Sequence, residues 1–232
     1  MFSGGVNVDP TKYGLVETLE SPGHNVTGVY QTGYLRETLG CLKKLAPGIS
    51  TLVVLSDDSS TGRAKAKKIE SLAVEGRLGL KLTASIVTDS FSEWKAEILR
   101  FRDKTDSFFI FNHNTLKDPS GKAVDPLEAS AWYLKNVKKP DCTDEKQFVE
   151  EGVLIAVDDS GFKQGYEAVK IAHQILFEKK DPAVIPVVAP YRGAVMVNRQ
   201  RAGMLGVDLS SQAFIEEYVD KSLALEKYPS PQ

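Results

Sequence analysis

A chain of 232 residues with 42% hydrophobic and 26% charged residues can bury a full core, as one large domain or as two small lobes. Its formal net charge is −2 and its basic residues are scattered, which leaves no electrostatic footprint for nucleic acid; the one basic cluster, over 63–68, falls in a helical pattern and reads as a solvated face. Nothing approaches the ~18 to 20 apolar residues of a membrane span.

The opening stretch FSGGVNVDP reads as the end of a strand running into a glycine turn, so the chain is expected to begin partway through a fold. The basic and apolar regions of a secretory signal are not found in its first five residues. Asp9-Pro10-Thr11 is a helix start, with Tyr13, Leu15, Val16 and Leu19 following on one face. Residues 21–25 break that helix, 26–30 are short and β-rich, and a second helix carries Tyr34, Leu35, Leu39, Leu42 and Leu45 as far as Pro47-Gly48. A regular alternation then begins: strand 51–56, helix 62–73, strand 80–88, helix 90–103, strand 107–111. The last of these is continuously apolar, as expected of a central parallel strand covered on both faces. After a loop comes a helix over 127–137, and the charged run 138–146 reads as a connector to strand 152–157 and an amphipathic helix over 166–177. A β-type run over 183–188, a short strand over 194–197, a short helix over 199–205 closed by Gly206, and a last helix over 214–225 complete the chain. Alternation of this kind implies a parallel sheet. Cys41 and Cys142 are about a hundred residues apart and match no metal spacing; Cys41 reads as a small buried hydrophobe and Cys142 as part of a polar loop.

Three strand ends carry polar corners: Asp57-Asp58-Ser59-Ser60, Asn112-His113-Asn114 and Asp158-Asp159-Ser160. The first and third are near echoes, each an apolar run meeting two carboxylates and a serine before a glycine and a helix. In open α/β sheets ligands collect at such corners, where free N–H groups and the helix dipole favour anions. A carboxylate there can pair with a ligand ammonium, while Ser and Asn both donate and accept. Asp57, Asp58, Ser59, Ser60, Asn112, Asn114, Asp158, Asp159 and Ser160 thus suit a small zwitterion such as an amino acid; a plain N-cap role stands beside that reading for the aspartates and Ser59. Phe162 is either a stacking surface for an aromatic ligand or a packed helix-start aromatic. Near the N-terminus Asn7 is the best-placed candidate and Ser3 a weaker one.

No catalytic trio is visible in the sequence. His113 has no accompanying nucleophile motif and reads as structural, His24 falls in a turn and His173 in an amphipathic helix. No cofactor motif or metal-ligand spacing is present. The paired aspartates would also suit Mg²⁺ in a phosphoryl-transfer enzyme, but the later corners lack the lysine that a receiver domain carries at a later strand end.

Val8-Asp9-Pro10, Ser21-Pro22-Gly23-His24-Asn25-Val26-Thr27-Gly28, the βαβ region, Gly152-Val153-Leu154 with Gly165, Ile185-Pro186-Val187, and Val197-Asn198 with Ala202 and Leu205-Gly206-Val207 follow in the order seen in ABC-transporter substrate-binding proteins. The chain most resembles the branch of tryptophan- and tyrosine-type solute-binding proteins. This resemblance implies an α/β, type I periplasmic-binding-protein-like fold with doubly wound parallel sheets in two lobes. The first lobe is expected to be incomplete, because family members carry further βα units before the point where Met1 falls. Residues 1–30 and 189–232 would be pieces of that N-terminal-type lobe and 31–188 a complete C-terminal-type lobe carrying both Asp-Asp corners. The implied function is the periplasmic or extracytoplasmic solute-binding component of an ABC importer. It would close around a small molecule such as an amino acid, without catalysis or cofactor, and have the transporter permease as its partner. An incomplete lobe would expose apolar surface and offer a route to a dimer. The alternative is a ligand-sensing domain of a signalling or regulatory protein, which uses the same fold.

Overall fold

The apolar run Leu52-Val53-Val54-Leu55 forms the core of strand β1 (Thr51–Ser56), and all four residues are buried. A strand that is apolar on both faces needs cover on both sides and strands on both edges. Its neighbours are β2 (Lys81–Val87) and β3 (Ser107–Ile110), each parallel to it. The sheet continues through β4 (Asp141–Thr143), β5 (Ile155–Val157), β6 (Val195–Asn198) and β7 (Glu217–Val219), in the order β2-β1-β3-β4-β5-β6-β7. Every pairing is parallel except that of β5 with β6, where Ile155 opposes Val197 and Val157 opposes Val195. The α-helices are α1 (Leu35–Leu45), α2 (Ser60–Val74), α3 (Phe91–Phe101), α4 (Pro126–Asn136), α5 (Lys146–Glu151), α6 (Gly161–Leu176), α7 (Arg199–Leu205) and α8 (Leu223–Lys227). The computed structural model describes residues 1–2 and 9–229; Ser3 and Asn7 lie outside the described residues.

The chain forms two compact units, one made of Met1–Tyr34 and Asp158–Gly193, the other of Leu35–Val157 and Ala194–Gln232. The second unit holds the sheet and every helix but α6. Its core is aromatic: Trp94 and Ile98 from α3, Phe108 and Ile110 from β3, Tyr133 and Leu134 from α4, and Phe148 from α5 are all buried together. The helices begin where the sequence supplies caps. Ser90 Oγ accepts from Glu93 N at the start of α3, Asp125 caps α4 ahead of Pro126, and Asn198 caps α7, which Gly206 ends at a left-handed φ of 68°.

Beneath this core lies a fully buried ion pair. Arg201 on α7 donates to Asp141 Oδ2 on β4 from Nε at 3.0 Å and Nη2 at 2.5 Å, and both side chains are inaccessible to solvent. The rest of the fork is used as well, Nη1 reaching Leu134 O at 3.3 Å and Nη2 Lys139 O at 3.2 Å, while Asp141 Oδ1 accepts from Leu154 N at 2.7 Å. Burial opposes the Arg201 charge, and the Asp141 carboxylate outweighs it, so the guanidinium stays protonated. Asn198 completes the joint, capping α7 with Oδ1 and donating from Nδ2 to Val149 O at 2.9 Å. The VN…A…LG segment therefore holds α7 against β4 and α5.

The first unit is tied together by the PGxNVTG segment. Thr27 Oγ1 donates to Ile185 O at 2.7 Å, Val188 N to Gly28 O at 3.0 Å, and Tyr30 N to Val188 O at 2.8 Å. Gly28 packs against Phe2 so closely that a Cβ would overlap its carbonyl oxygen. Ala168 and Ile171 of α6 pack with Val29 and Ile185 in a small core of their own.

Several expected elements differ. Gly14, at φ 65°, stops the first expected helix after a single 3-10 turn, Pro10–Tyr13. The run 138–146, read as a connector, contains β4 and the first residue of α5, so Cys142 is a buried strand residue and not part of a polar loop. The 183–188 run makes a 3-10 turn, Pro182–Val184, and one bridge, Val29 to Val188. In place of a last helix over 214–225 the chain makes β7, which pairs with β6, and then α8. The unit boundaries at 34/35, 157/158 and 193/194 also differ from the expected lobe boundaries at 30/31 and 188/189. Two causes are visible: α6 packs on Val29 and Ile185, and β6 pairs with β5.

Two outcomes follow from these contacts. Arg201→Met strands the Asp141 carboxylate in the core and is expected to destabilise the chain by about 3 to 5 kcal/mol, read from urea unfolding. Asp106 Oδ2 accepts from the backbone N–H and hydroxyl of both Ser50 and Thr51, and these bonds lower its pKa from 3.8 to about 2. A depressed carboxylate stabilises above its unfolded pKa and loses that contribution as pH falls through the folded value. Asp106→Asn should therefore cost about 1 kcal/mol at pH 7, after solvent screening, and nothing measurable near pH 2.

Candidate ligand-binding corner

The C-terminal ends of β1 and β3 meet in one polar network. Asp57 is fully buried; its Oδ1 accepts from Ser59 Oγ at 2.6 Å, its Oδ2 from Thr115 N at 3.1 Å, and its own N–H donates to Asn112 O at 2.7 Å. Ser59 caps α2, its Oγ accepting from Gly62 N at 3.0 Å and from Asn112 Nδ2 at 3.3 Å. A Cβ on Gly62 would overlap Asp57 O and Ser56 Oγ, so glycine is what lets the helix start lie flush on the strand end. Asp58 N donates to Asp89 Oδ1 at 2.9 Å, an oxygen that also accepts from Thr115 Oγ1 at 2.5 Å. The Asp58 carboxylate pairs with Arg63 at 2.7 Å.

Of the residues predicted here, Asp57, Ser59 and Asn112 thus spend their polar atoms on one another, and the N-cap reading is the one that the geometry gives Ser59. Outward-facing at this corner are Ser60, the Asp58 side chain with Arg63, and Asn114, which donates to Asn112 Oδ1 at 2.6 Å.

The other Asp-Asp corner belongs to the first compact unit, whereas Asp57 to Ser60 belong to the second. Asp159 Oδ2 accepts from Gly33 N at 3.1 Å and Oδ1 from Gln164 Nε2 at 3.1 Å, and Ser160 caps α6. Asp158 O accepts from Gly193 N at 2.7 Å. Phe162 is 83% exposed, so it is not a packed helix-start aromatic. Tyr191 is exposed as well; the Lys163 ammonium lies 5.5 Å from the centroid of its ring and donates to Arg192 O at 2.6 Å.

Sequence reasoning missed two clusters. One is Ser130, His113 and Glu151, all buried. His113 Nε2 lies 2.9 Å from Glu151 Oε2 and 3.0 Å from Ser130 Oγ, and Ser130 Oγ donates to Glu151 Oε2 at 2.6 Å. In a nucleophilic triad the serine and the carboxylate engage opposite ring nitrogens; here both engage Nε2, and the serine is turned to the acid. Burial would raise the Glu151 carboxyl, but its bonds from His113, Ser130 and Gln147 outweigh that and hold it below its usual value. The cluster is a structural joint between α4, α5 and the end of β3. The other is at the end of β4, where buried Asp144 pairs with Lys65 of α2. It was hidden because a strand of three residues flanked by charges carries no hydrophobic period.

The α/β sheet carries polar corners at its parallel strand ends, the places where ligands of such sheets collect. A family model described as ABC transporter substrate binding protein matches residues 5–217, and the chain belongs to that family, as its motifs predict. No curated protein matches. Among solved structures, the ligand-free, open form of a substrate-binding protein with adhesive properties from Clostridium difficile is 26% identical, over 92% of this chain and 68% of that chain, with a TM-score of 0.71. The ABC domain in complex with L-Trp from Streptococcus pneumonia is 23% identical over 91% and 69%, TM-score 0.70. A conserved domain protein from Vibrio cholerae is 20% identical over 91% and 69%, TM-score 0.70. These likenesses show a periplasmic-binding-protein fold.

Asp57→Ala removes the acceptor for three donors inside this corner. It is expected to lower stability by about 2 kcal/mol, seen as an earlier midpoint in urea at an unchanged m-value.

Proposed function

We propose that the chain is the solute-binding component of an ABC importer, acting outside the cytoplasm and handing a small molecule to a membrane permease. The family match over residues 5–217 carries this reading. Binding without chemistry is the expected mode, a ligand shifting the population of a closed form. The two compact units are assigned to the two lobes of such a binder, the first unit being part of an N-terminal-type lobe.

The proposed ligand is an amino acid. In support, the second unit presents at its strand ends a helix start with Ser60, a carboxylate at Asp58 and an amide at Asn114, a set that matches both charges of a zwitterion. The Streptococcus pneumonia structure is a complex with L-Trp. Ser60, Asp58 and Asn114 are the residues retained as ligand contacts; Phe162, in the first unit, is an exposed aromatic. Asp57, Ser59, Asn112, Asp158, Asp159 and Ser160 are assigned to holding their corners in shape.

Differential scanning fluorimetry of the chain against the twenty amino acids, sugars and nucleosides tests this. A ligand at a hundred times its Kd adds about 2.7 kcal/mol, or a rise of roughly 5 to 10 °C for a chain of this size. An amino acid is expected to give that rise. If only a sugar or nucleoside does, the ligand class is wrong; if no solute does, the binding role is wrong.

A further inference from the structure

Helix α6 is apolar on two opposite sides. On one, Ala168, Ile171 and Ile175 pack with Val29 and Ile185 in the small core of the first unit. On the other, Phe162, Tyr166, Val169, Leu176 and the adjoining Phe177 are each between 59% and 83% exposed. A helix that only covers a core carries polar residues on its solvent side. Here positions 162, 166, 169, 173 and 176 advance by four and three residues in turn, so one stripe runs the length of the helix. His173 is its polar member, with its ring stacked on Phe177 at 5.2 Å. That alternation is the heptad spacing by which one helix seats against another.

The area is that of an interface. With about 150 to 250 Å² for a full aromatic side chain, the five exposed residues present on the order of 600 Å². Two such faces together would bury on the order of 1,200 Å², the lower end of the range for a specific contact.

The two borders of the stripe identify what fits it. One carries Lys163, Glu167, Lys170 and Gln174, the other Gly161, Gly165 and Ala172. In a two-fold pair each border meets its own copy. With the helices antiparallel and the axis at Val169, Phe162 faces Leu176 of the partner subunit and Glu167 faces Lys170 of the partner subunit, twice over. Glu167 and Lys170 already pair at 2.9 Å within the helix, so the second copy closes a ring of four alternating charges. A parallel pair would set lysine against lysine and glutamate against glutamate, and charge therefore selects the antiparallel one. The small border places Gly165 opposite Ala172 of the partner subunit, where two backbones can approach closely. Glycine inside a helix weakens it relative to alanine, and a Cβ on Gly165 would meet no atom within 4 Å. Nothing in the packing of the described residues requires that glycine; a helix laid against it does.

We propose that the outer face of α6 is a dimer interface, taking the same face of a second copy of this chain antiparallel about a two-fold axis at Val169.

Sedimentation velocity of the chain at about 1 to 100 µM, which brackets the weak end of affinities for contacts of this class, tests the proposal. A monomer–dimer equilibrium is expected. Val169→Glu sets two carboxylates against each other on the axis and should weaken the dimer at least about a hundredfold, with an unchanged circular dichroism spectrum because the position is exposed. Glu167→Lys and Lys170→Glu, measured singly, set like charges across the border and should each weaken it about fivefold. An equimolar mixture of those two variants pairs lysine with glutamate at every crossing and should regain the dimer. A chain that stays monomeric at the top of the range overturns the proposal, and its flotation with phosphatidylglycerol vesicles, lost in Val169→Glu, would assign the face to a membrane surface instead. A dimer that Val169→Glu leaves within twofold of wild type, or a mixture that associates no better than either variant alone, overturns it as well.

Discussion

The sheet of the second unit depends on the buried bond between Asp141 and Arg201. Removing two charges from water costs several kcal/mol for each ion, and that cost is offset only because every strong site on both groups is used. The guanidinium serves β4, the end of α4 and the loop before β4, while the second carboxylate oxygen fixes Leu154 just ahead of β5. A three-residue strand has too few ladder bonds to define its own register. Asp141, the first residue of β4, is held by Arg201 and Leu154, and these bonds fix the strand in place. The ion pair of Asp141 with Arg201 and that of Asp144 with Lys65 lie three residues apart on one chain segment.

Much of the architecture was legible because it repeats. Strands of four to seven residues followed by capped helices identify β1 to β3 with α2 to α4, and Gly206 marks the end of α7 as a left-handed cap must. What failed was short or polar. Asp141 occupies a strand position while being buried through a partner far away in sequence, Arg201, and no local pattern reports that. The turn at Gly14 failed for the opposite reason: a good helical pattern lost to one residue with φ above zero.

For the site, the sequence marked the polar strand ends but could not apportion the roles. Asp57 and Asp58 are adjacent and chemically identical, yet one is sealed inside a network of Ser59, Thr115 and Asn112 and the other faces Arg63. Alternate direction along an extended backbone decides this, and it depends on which way the preceding strand faces. His113 was correctly read as structural, though its partners, Ser130 and Glu151, come from helices 17 and 38 residues away. Such a trio shows that residue types alone do not make a nucleophile; the nitrogen that each partner chooses does.

The first unit is discontinuous: its first segment ends at Tyr34 and its second begins at Asp158 and ends at Gly193. During synthesis at about 5 to 20 residues per second, Val29 waits roughly ten to thirty seconds after Tyr34 is made before the segment carrying Ala168, Ile171 and Ile185 is complete. In that interval β1 to β5 are made, while β6, α7 with Arg201 and β7 follow only after the last residue of the first unit. The small core around Val29 can close only once Ile185 has been made. The more slowly the chain is made, the longer that early apolar segment stays without its partners, and the timing is written into the order of the segments and not into any single contact.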